Sequence, residues 1–373
     1  MPTLNPIKYL RFTKRIFDYS GRVKGRTTLS RSEQAREVYQ LLRCNLLEPK
    51  EYYQTYELFE PGLSWDDKRR FLSRNQFAII DPLFNPRGGT GVFNKMVFKV
   101  FAQQHDLPVA RSFGLFDQHH GYFPDGKPLR SQSDLQRLID SLDGREFLFK
   151  PISADKAMGI IMCSAAAGQV SELGKGPISL DDLYQRLCSG NFGGNQFVRD
   201  SWLIEEKARQ HEWFDRFSTT LTHNYRIVTF LTAAGNVQLL GTGFGVGVSG
   251  QYLHLSGPRG ISAGISEDGK FGRGVTNGGP QIEYFDQHPE TGAQISGESA
   301  PQFAESLEVA RRAHRLLPHL RLLGWDIAAT DKGPIIFEGN TYWNWEKLQR
   351  CNRRGIVYGE FGEELPRVLA GLD

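Results

Sequence analysis

The tightest constraint on this chain lies near its C-terminal end, where GWDIAAT at 324–330 is followed, after DKGP, by IIFEGNTYWNW. Two apolar runs separated by a polar, glycine-containing break predict a β-hairpin. Strand side chains alternate between faces, so Glu338 and Asn340, two apart, point the same way. A three-residue turn of Asp331, Lys332 and Gly333, with glycine in the left-handed position, places Asp326 directly opposite Glu338. A two-residue turn would instead place Asp326 on the other face, so the three-residue form is a register prediction. Asp326, Glu338 and Asn340 all carry side-chain oxygens suited to Mg²⁺, which takes one or two carboxylates and completes its shell with water and substrate phosphates. The acids interrupt the apolar residues Trp325, Ile327 and Ala328 on one strand and Ile335, Ile336 and Phe337 on the other. Charges seldom sit beside a buried face unless paired or metal-bound. The alternative is a hairpin whose acids are simply solvated.

The rest of the chain supplies room and context for such a site. Its 373 residues allow two or three subdomains with real cores, and a net charge of +3 is too small and diffuse to suggest a nucleic-acid partner. Basic residues do gather near the start, at Lys8, Arg11, Lys14, Arg15, Arg22, Lys24 and Arg26. They read as the solvated face of a short helix, with an anionic membrane or polyanion as the other option. Cys44, Cys163, Cys188 and Cys351 show no metal-ligand spacing, which points to a reducing cytoplasm. No apolar stretch reaches the ~20 residues of a membrane span, and no leader pattern is present, so no integral membrane association is expected.

Along the chain, Ser30 and Glu33 form a capping-box pattern before a helix, and a second helix opens at Ser64 and runs through WDDKRRFLSRN. This helical region packs before the main fold. Residues 92–105 then read as a helix bearing Asn94, Lys95 and Lys99, LPVARSFGLF as a strand, SQSDLQRLIDSL as a capped helix, and REFLFKP as a strand leading into a loop at 151–158. A helix at 180–190 and the strand DSWLIEEKA follow. THNYRIVTFLTAAGNVQLLGTGFGVGV gives two antiparallel strands, and the glycine-rich passage that follows, SGPRGISAGISEDGKFGRGVTNGG, reads as a long loop. QFAESLEVARRAHRLLPHL is a helix leading into the hairpin. The expected units are 1–80 (basic segment and helical region), 81–206 (first part of the fold with a phosphate-covering lid) and 207–373 (metal site and glycine-rich substrate loops).

Several side chains fall where a nucleotide would need them. Lys150 ends a strand before a loop, a position from which an ammonium can reach a phosphate while loop amides cover it. Lys95 can add a second cation. Glu205 and Glu206 end an apolar strand before Gln210 and His211, an arrangement suited to adenine and ribose recognition, although His211 also fits a packing role. Arg226 alternates with Tyr225 and Ile227 and faces away from them, ready to stabilise charge on a transferring phosphoryl group.

In this order, these residues resemble the ATP-grasp superfamily from about Asn94 to Trp345. QH at 210–211, NYRIVT at 224–229, NGG at 277–279 and the late FEGN are similar to its sugar-transfer associated subgroup. The resemblance implies an α+β fold with nucleotide held between two antiparallel sheets, and an added N-terminal helical region. It also implies ATP and Mg²⁺ as cofactors, with Lys95, Lys150 and Arg226 around the phosphates, Glu205, Glu206 and His211 toward the nucleoside, and metals on Asp326, Glu338 and Asn340. The phosphate-covering loop of many relatives is rich in glycine, whereas ISADKAMG keeps only Gly159; Lys156 is placed to substitute a side-chain contact. Arg259, Arg273 and Asn277 are the expected substrate contacts, with a mobile surface loop as the alternative. The implied chemistry joins a small-molecule carboxylate to an amine through an acylphosphate. A small-molecule kinase needs the same cage and is the second reading; a nucleotide-binding regulator is disfavoured by the intact acidic trio. Homo-oligomerisation is left open.

Overall fold

Two antiparallel sheets build the body of the protein. The computed structural model describes residues 6–85, 94–152, 159–189, 201–219, 221–247, 260–277 and 282–370. In the first half, β1 (Ser112–Phe116), β2 (Glu146–Pro151), β3 (Ile161–Ala166), β4 (Gln169–Glu172), β5 (Gly176–Ile178) and β6 (Trp202–Glu206) pair in the order β1-β6-β2-β3-β4-β5. In the second, β7 (Tyr225–Leu231), β8 (Val237–Val246), β9 (Ile261–Ile265), β10 (Phe271–Thr276), β11 (Tyr284–Phe285), β12 (Leu322–Thr330) and β13 (Gly333–Asn340) pair in the order β11-β10-β9-β8-β7-β12-β13. The expected mixed fold with two antiparallel sheets is therefore present.

Helix boundaries follow their caps. Of the first four helices, α1 (Pro6–Arg22) and α2 (Arg31–Asn45) flank a capping box in which Ser30 and Glu33 satisfy each other's backbone amides. The single helix expected from Ser64 is instead two. Ser64 and Asp67 cap α3 (Trp65–Arg69), which ends within a turn or so, and Ser73 caps a new start at α4 (Arg74–Phe84). The second serine offers the backbone an N-cap where a continuous helix would bury a hydroxyl against its own carbonyls. Asn94 caps α5 (Lys95–Gln104) and Ser131 caps α6 (Gln132–Ser141) with Asp134 closing the box. α7 (Leu180–Ser189), α8 (Phe303–Arg315), α9 (Trp345–Asn352) and α10 (Gly359–Leu369) complete the set among the described residues.

The cores show which parts belong together. β1–β6 with α6 and α7 enclose one core, built on Phe116, Phe147, Phe149, Leu183 and Trp202. The second sheet has different cover on its two faces. Phe303, Leu307, Ala310 and Ala313 of α8 pack against Tyr225, Ile227, Trp325 and Ile327, where each fully buried Phe or Leu contributes ~1.5–3 kcal/mol. The other face of β7 and β12 buries Val228, Phe230 and Leu322 beneath α4, α9 and α10. Further along that same face stand Arg226 and Asp326.

β8 ends within the glycine-containing stretch read as strand, whereas the passage expected as a loop contains the strands β9 and β10. Glycines in both are spaces for a helix. A Cβ on Gly241 would lie 3.3 Å from Leu348, and one on Gly264 would lie 2.6 Å from Asn352 Oδ1 and 2.8 Å from a carbonyl of α9. α9 is thereby set down directly on the sheet. From its other side Gln349, fully buried, bonds the Leu72 amide (2.7 Å), the Leu72 carbonyl (3.0 Å) and the Tyr56 hydroxyl (2.9 Å). The N-terminal helices are thus stitched to α9, in keeping with the packing role expected of them.

Candidate active site

The hairpin reaches its expected outcome by an unexpected route. Asp326 does lie opposite Glu338, but Thr330 pairs with Gly333, so the turn holds only Asp331 and Lys332. The three-residue turn is therefore incorrect. A two-residue turn alone would have put Asp326 out of phase. The phase is restored by a β-bulge: Ile327 pairs with Ile336, Asp326 pairs with Glu338, and Phe337 is the extra residue between them. Gly333 is at φ +108°, a conformation that glycine adopts without steric cost. Ile336 stays in the α8 core, while Phe337 lies under the Lys150 ammonium, 5.2 Å from it, toward the first sheet.

Asp326 is also the direct partner of Arg226 on β7, so Arg226, Asp326 and Glu338 form a row across three adjacent strands. The Arg226 Nη2 donates to Asp326 Oδ2 at 2.9 Å. Arg226 Nε lies 2.9 Å from Asp326 Oδ1 without the alignment of a hydrogen bond, and Oδ1 makes none; Arg226 Nη1 is likewise buried and unbonded. Asn340 Nδ2 donates to Glu338 Oε1 at 3.2 Å. Gly324 keeps the row open, because a Cβ there would sit 2.9 Å from the Trp343 Cβ and 3.2 Å from Arg226 Nη1.

The electrostatics of this row are unbalanced. Asp326 is only 8% exposed, and burial pushes its carboxyl up to about 7, with Arg226 opposing and Glu338 adding to the rise. Glu338 is held below the usual carboxylate range, burial pulling it up but Arg226 and then Lys95 outweighing it. Two acids share one guanidinium, and an oxygen is left over. No group of three His, Cys, Asp or Glu side chains forms a metal cluster among the described residues. The donor set is two carboxylates and an amide, all oxygen, with one buried oxygen unsatisfied, and it fits a Mg²⁺ ion that completes its shell with water and phosphate.

A second charged cluster faces it from the first sheet. Glu205, 4% exposed, lies between Lys150 at 2.7 Å and the Lys99 ammonium, which also donates to the Ala110 carbonyl at 2.5 Å. Burial raises Glu205, but Lys150 and Lys99 outweigh it and hold the carboxyl low; burial pushes Lys99 down against the pull of Glu205. Lys95 starts α5, its amide bonded to the Ile152 carbonyl at the end of β2 (3.2 Å). Its charge acts on Glu338.

The remaining sequence candidates divide. Glu206 is half-buried, 3.9 Å from Lys332. His211 caps the short 3₁₀ turn Glu212–Arg216 by accepting from the Trp213 amide, and Gln210 is buried in bonds to Asp215, Ser218 and His223. Arg273, on β10 and so separated from β7 by β9 and β8, is 3.2 Å from Asp286, and Asn277 accepts from Ser262 through its side chain and from Arg350 through its carbonyl. These two stand apart from the Arg226 row. Lys156 and Arg259 lie outside the described residues, as do residues 278 and 279 of the NGG motif. A cavity of about 310 Å³ between β8, β9, the start of β10 and the 351–358 segment is lined by none of the site candidates.

Two residues were missed. Lys99 reads in the sequence only as a helix residue, and the fold buries it against Glu205. Lys347 was not considered. It is half-buried on the helix that covers Gly243, the cross-strand partner of Arg226, and its ammonium makes no ion pair or hydrogen bond among the described residues. Burial pushes it down to about 8, Arg226 acting in the same direction against Cys351 and Asp326.

The family model for sugar-transfer associated ATP-grasp proteins matches residues 78–359. Among solved structures, the chain is similar to D-alanyl-alanine synthetase A from Vibrio cholerae, at 13% identity and TM-score 0.43 over 77% of this chain and 66% of that one. It is also similar to biotin carboxylase from Campylobacter jejuni (11% identity, TM-score 0.47, 83% and 53% covered) and to N5-carboxyaminoimidazole ribonucleotide synthetase from Thermotoga maritima (12%, 0.37, 76% and 50%). The chain spans about half to two thirds of the length of these proteins. No curated protein matches the sequence.

Proposed function

Because the chain belongs to the sugar-transfer associated ATP-grasp family, we propose that it is an ATP-dependent carboxylate–amine ligase working between its two sheets. The observation that carries this reading is the row Arg226–Asp326–Glu338 with Asn340 beside it, which leaves a buried carboxylate oxygen and a buried guanidinium nitrogen unsatisfied on one face. A buried polar atom without a partner costs ~1–3 kcal/mol, so a site that keeps two has a use for them. Asp326, Glu338 and Asn340 would hold Mg²⁺, which when bound would offset the charge of the triphosphate.

The chain's own residues supply the rest. Lys95 from the start of α5 and Lys150 from the first sheet reach the phosphates, Lys150 held in place by Glu205 and by the Phe337 ring. Glu206 and His211 lie toward the nucleoside. A substrate carboxylate attacks the γ-phosphorus, the bond to the β-phosphate bridging oxygen breaks, and ADP leaves an acylphosphate. An amine then attacks the acyl carbon, loses a proton and expels phosphate. Arg226 Nη1 stabilises the charge developing on the transferred group, and Lys347 is placed to hold an oxyanion beside it. Arg273 and Asn277 would act, if at all, on a remote part of a larger substrate. Four free thiols support a reducing cytoplasm, and no helix among the described residues is long and apolar enough to cross a membrane.

The test is incubation with Mg·ATP, a metabolite extract and hydroxylamine, followed by mass spectrometry. ADP together with a hydroxamate is the expected result and identifies the acid. ADP together with a phosphorylated, hydroxylamine-insensitive alcohol would replace the ligase reading with a kinase.

A further inference from the structure

The N-terminal helix has a surface that the proposed chemistry does not use. One side of α1 is docked: Ile16 and Ser20 are buried, Phe12 and Tyr19 partly so, and the following Val23 is buried with them. On the outward side, Leu10 is 68% exposed and Phe17 64% exposed. Seven residues apart is about two turns, so the two lie in line, roughly 10 Å from each other. Arg11, Lys14, Arg15 and Arg22 are all exposed, with Asp18 the one acid among the helix's described side chains.

The basic residues flank the apolar pair on both sides. At 100° per residue, Lys14, the single acid Asp18 and then Arg11 follow Leu10 around the helix on one flank, with Arg22 and Arg15 beyond them, so the flank stays basic. On the other chain segment, Arg31 at the start of α2 lies with its guanidinium 4.8 Å over the Phe17 ring and 3.3 Å from the Cβ position of Gly21. Arg11 and Lys14 have no carboxylate partner among the described residues, and Arg15 has only Glu48 at 3.9 Å. Such a surface repels a second copy of itself, because like charges would meet. It offers no groove for a helix or strand. A flat layer with negative charge at its surface and hydrocarbon just beneath satisfies both halves: the Leu and Phe enter the acyl boundary while the long basic side chains reach back to the headgroups.

We propose that α1 is a peripheral docking helix for an anionic lipid surface, seated by Leu10 and Phe17 and held by Arg11, Lys14, Arg15 and Arg31. Each basic residue near such a surface raises partitioning by about fivefold, and two partly inserted apolar side chains make the binding reversible.

The experiment is co-sedimentation of the full chain with phosphatidylcholine vesicles, with and without ~30 mol% phosphatidylglycerol, at low and at ~0.15 M salt. The wild type is expected to sediment with the anionic vesicles only, less at higher salt. Leu10→Ser with Phe17→Ser, and separately Arg11→Gln with Lys14→Gln, should each weaken binding at least about tenfold without moving the melting temperature, since all four side chains are exposed. Failure of the wild type to bind anionic vesicles at low salt overturns the proposal. So does undiminished binding by the Leu10/Phe17 variant, which would leave only diffuse charge attraction. A dimer in sedimentation that the same variant dissociates would assign the surface to a second copy instead.

Discussion

Two buried charge clusters face each other across this protein, and they are built on opposite principles. At the first sheet, Glu205 is held between Lys99 of α5 and Lys150 of β2, and every charge has a partner. In the second, Asp326 and Glu338 share Arg226, with an oxygen and a nitrogen left unbonded. The lysine cluster carries one positive charge in excess and the carboxylate row one negative charge, when all groups are ionised. The first is complete without ligand and has charge to spare for an anion. The second is incomplete until a cation arrives. A nucleotide bridged to a metal supplies both signs at once, which is why the pairing of a finished and an unfinished cluster supports the proposed site better than either alone.

The largest test of this contrast is Glu338→Gln. It should lower turnover by about a thousandfold or more, on the scale of losing a transition-state electrostatic contact and then some, while the ligand-free protein unfolds within a few degrees of wild type, because the repulsion of Asp326 and the attractions of Arg226 and Lys95 are lost together. Steady-state ADP release and calorimetry on one sample read both effects; full activity would remove the metal assignment.

Glu205→Leu should act the other way round. Two buried lysines lose their partner, and breaking such a cluster costs about 3–5 kcal/mol, visible as a lower urea midpoint without any ligand. If stability holds and only ATP affinity falls, Glu205 is a nucleotide ligand and the first cluster is as unfinished as the second.

The smallest effect is a pH dependence. Asp326 is raised to about 7 in the folded protein, so it holds its proton there at pH values where the unfolded chain has lost it. The stabilisation is complete below the unfolded value near 4 and is lost as pH rises toward 7. Wild type relative to Asp326→Asn should therefore lose on the order of 2 kcal/mol between those limits, after the opposing shift of Glu338. Saturating Mg²⁺ and ATP should flatten the slope; a slope unchanged by the variant would place the proton elsewhere.

Much of this was legible because it is periodic or capped. The alternation of Arg226 with Tyr225 and Ile227 gave its face, and the serine caps at 30, 64 and 131 gave helix starts. The acids' pairing was anticipated for the wrong reason, because Phe337 is one more apolar residue in a run and nothing local marks it as a bulge. The strands at 261–276 were hidden by glycine, whose usual meaning is a turn; here Gly241 and Gly264 make room for α9, a relation between segments some hundred residues apart. Lys347 and the partnership of Lys99 with Glu205 are tertiary in the same sense. A lysine in a helix looks solvated until the sheet beneath it is known.

The bulge has a consequence for how this hairpin can change over time. A two-residue turn with one extra residue on the strand and a three-residue turn with none place the same number of residues between Asp326 and Glu338. Relatives can therefore exchange one solution for the other through substitutions alone, with no insertion or deletion to mark the event. What inheritance must preserve is the pairing of the two acids, and turn length and bulge can change together to keep it. Deleting Phe337 would straighten the ladder and still leave Glu338 directly opposite Asp326, so what the extra residue adds is the Phe337 ring beneath the Lys150 ammonium, a link between the sheets that a plain hairpin would lack.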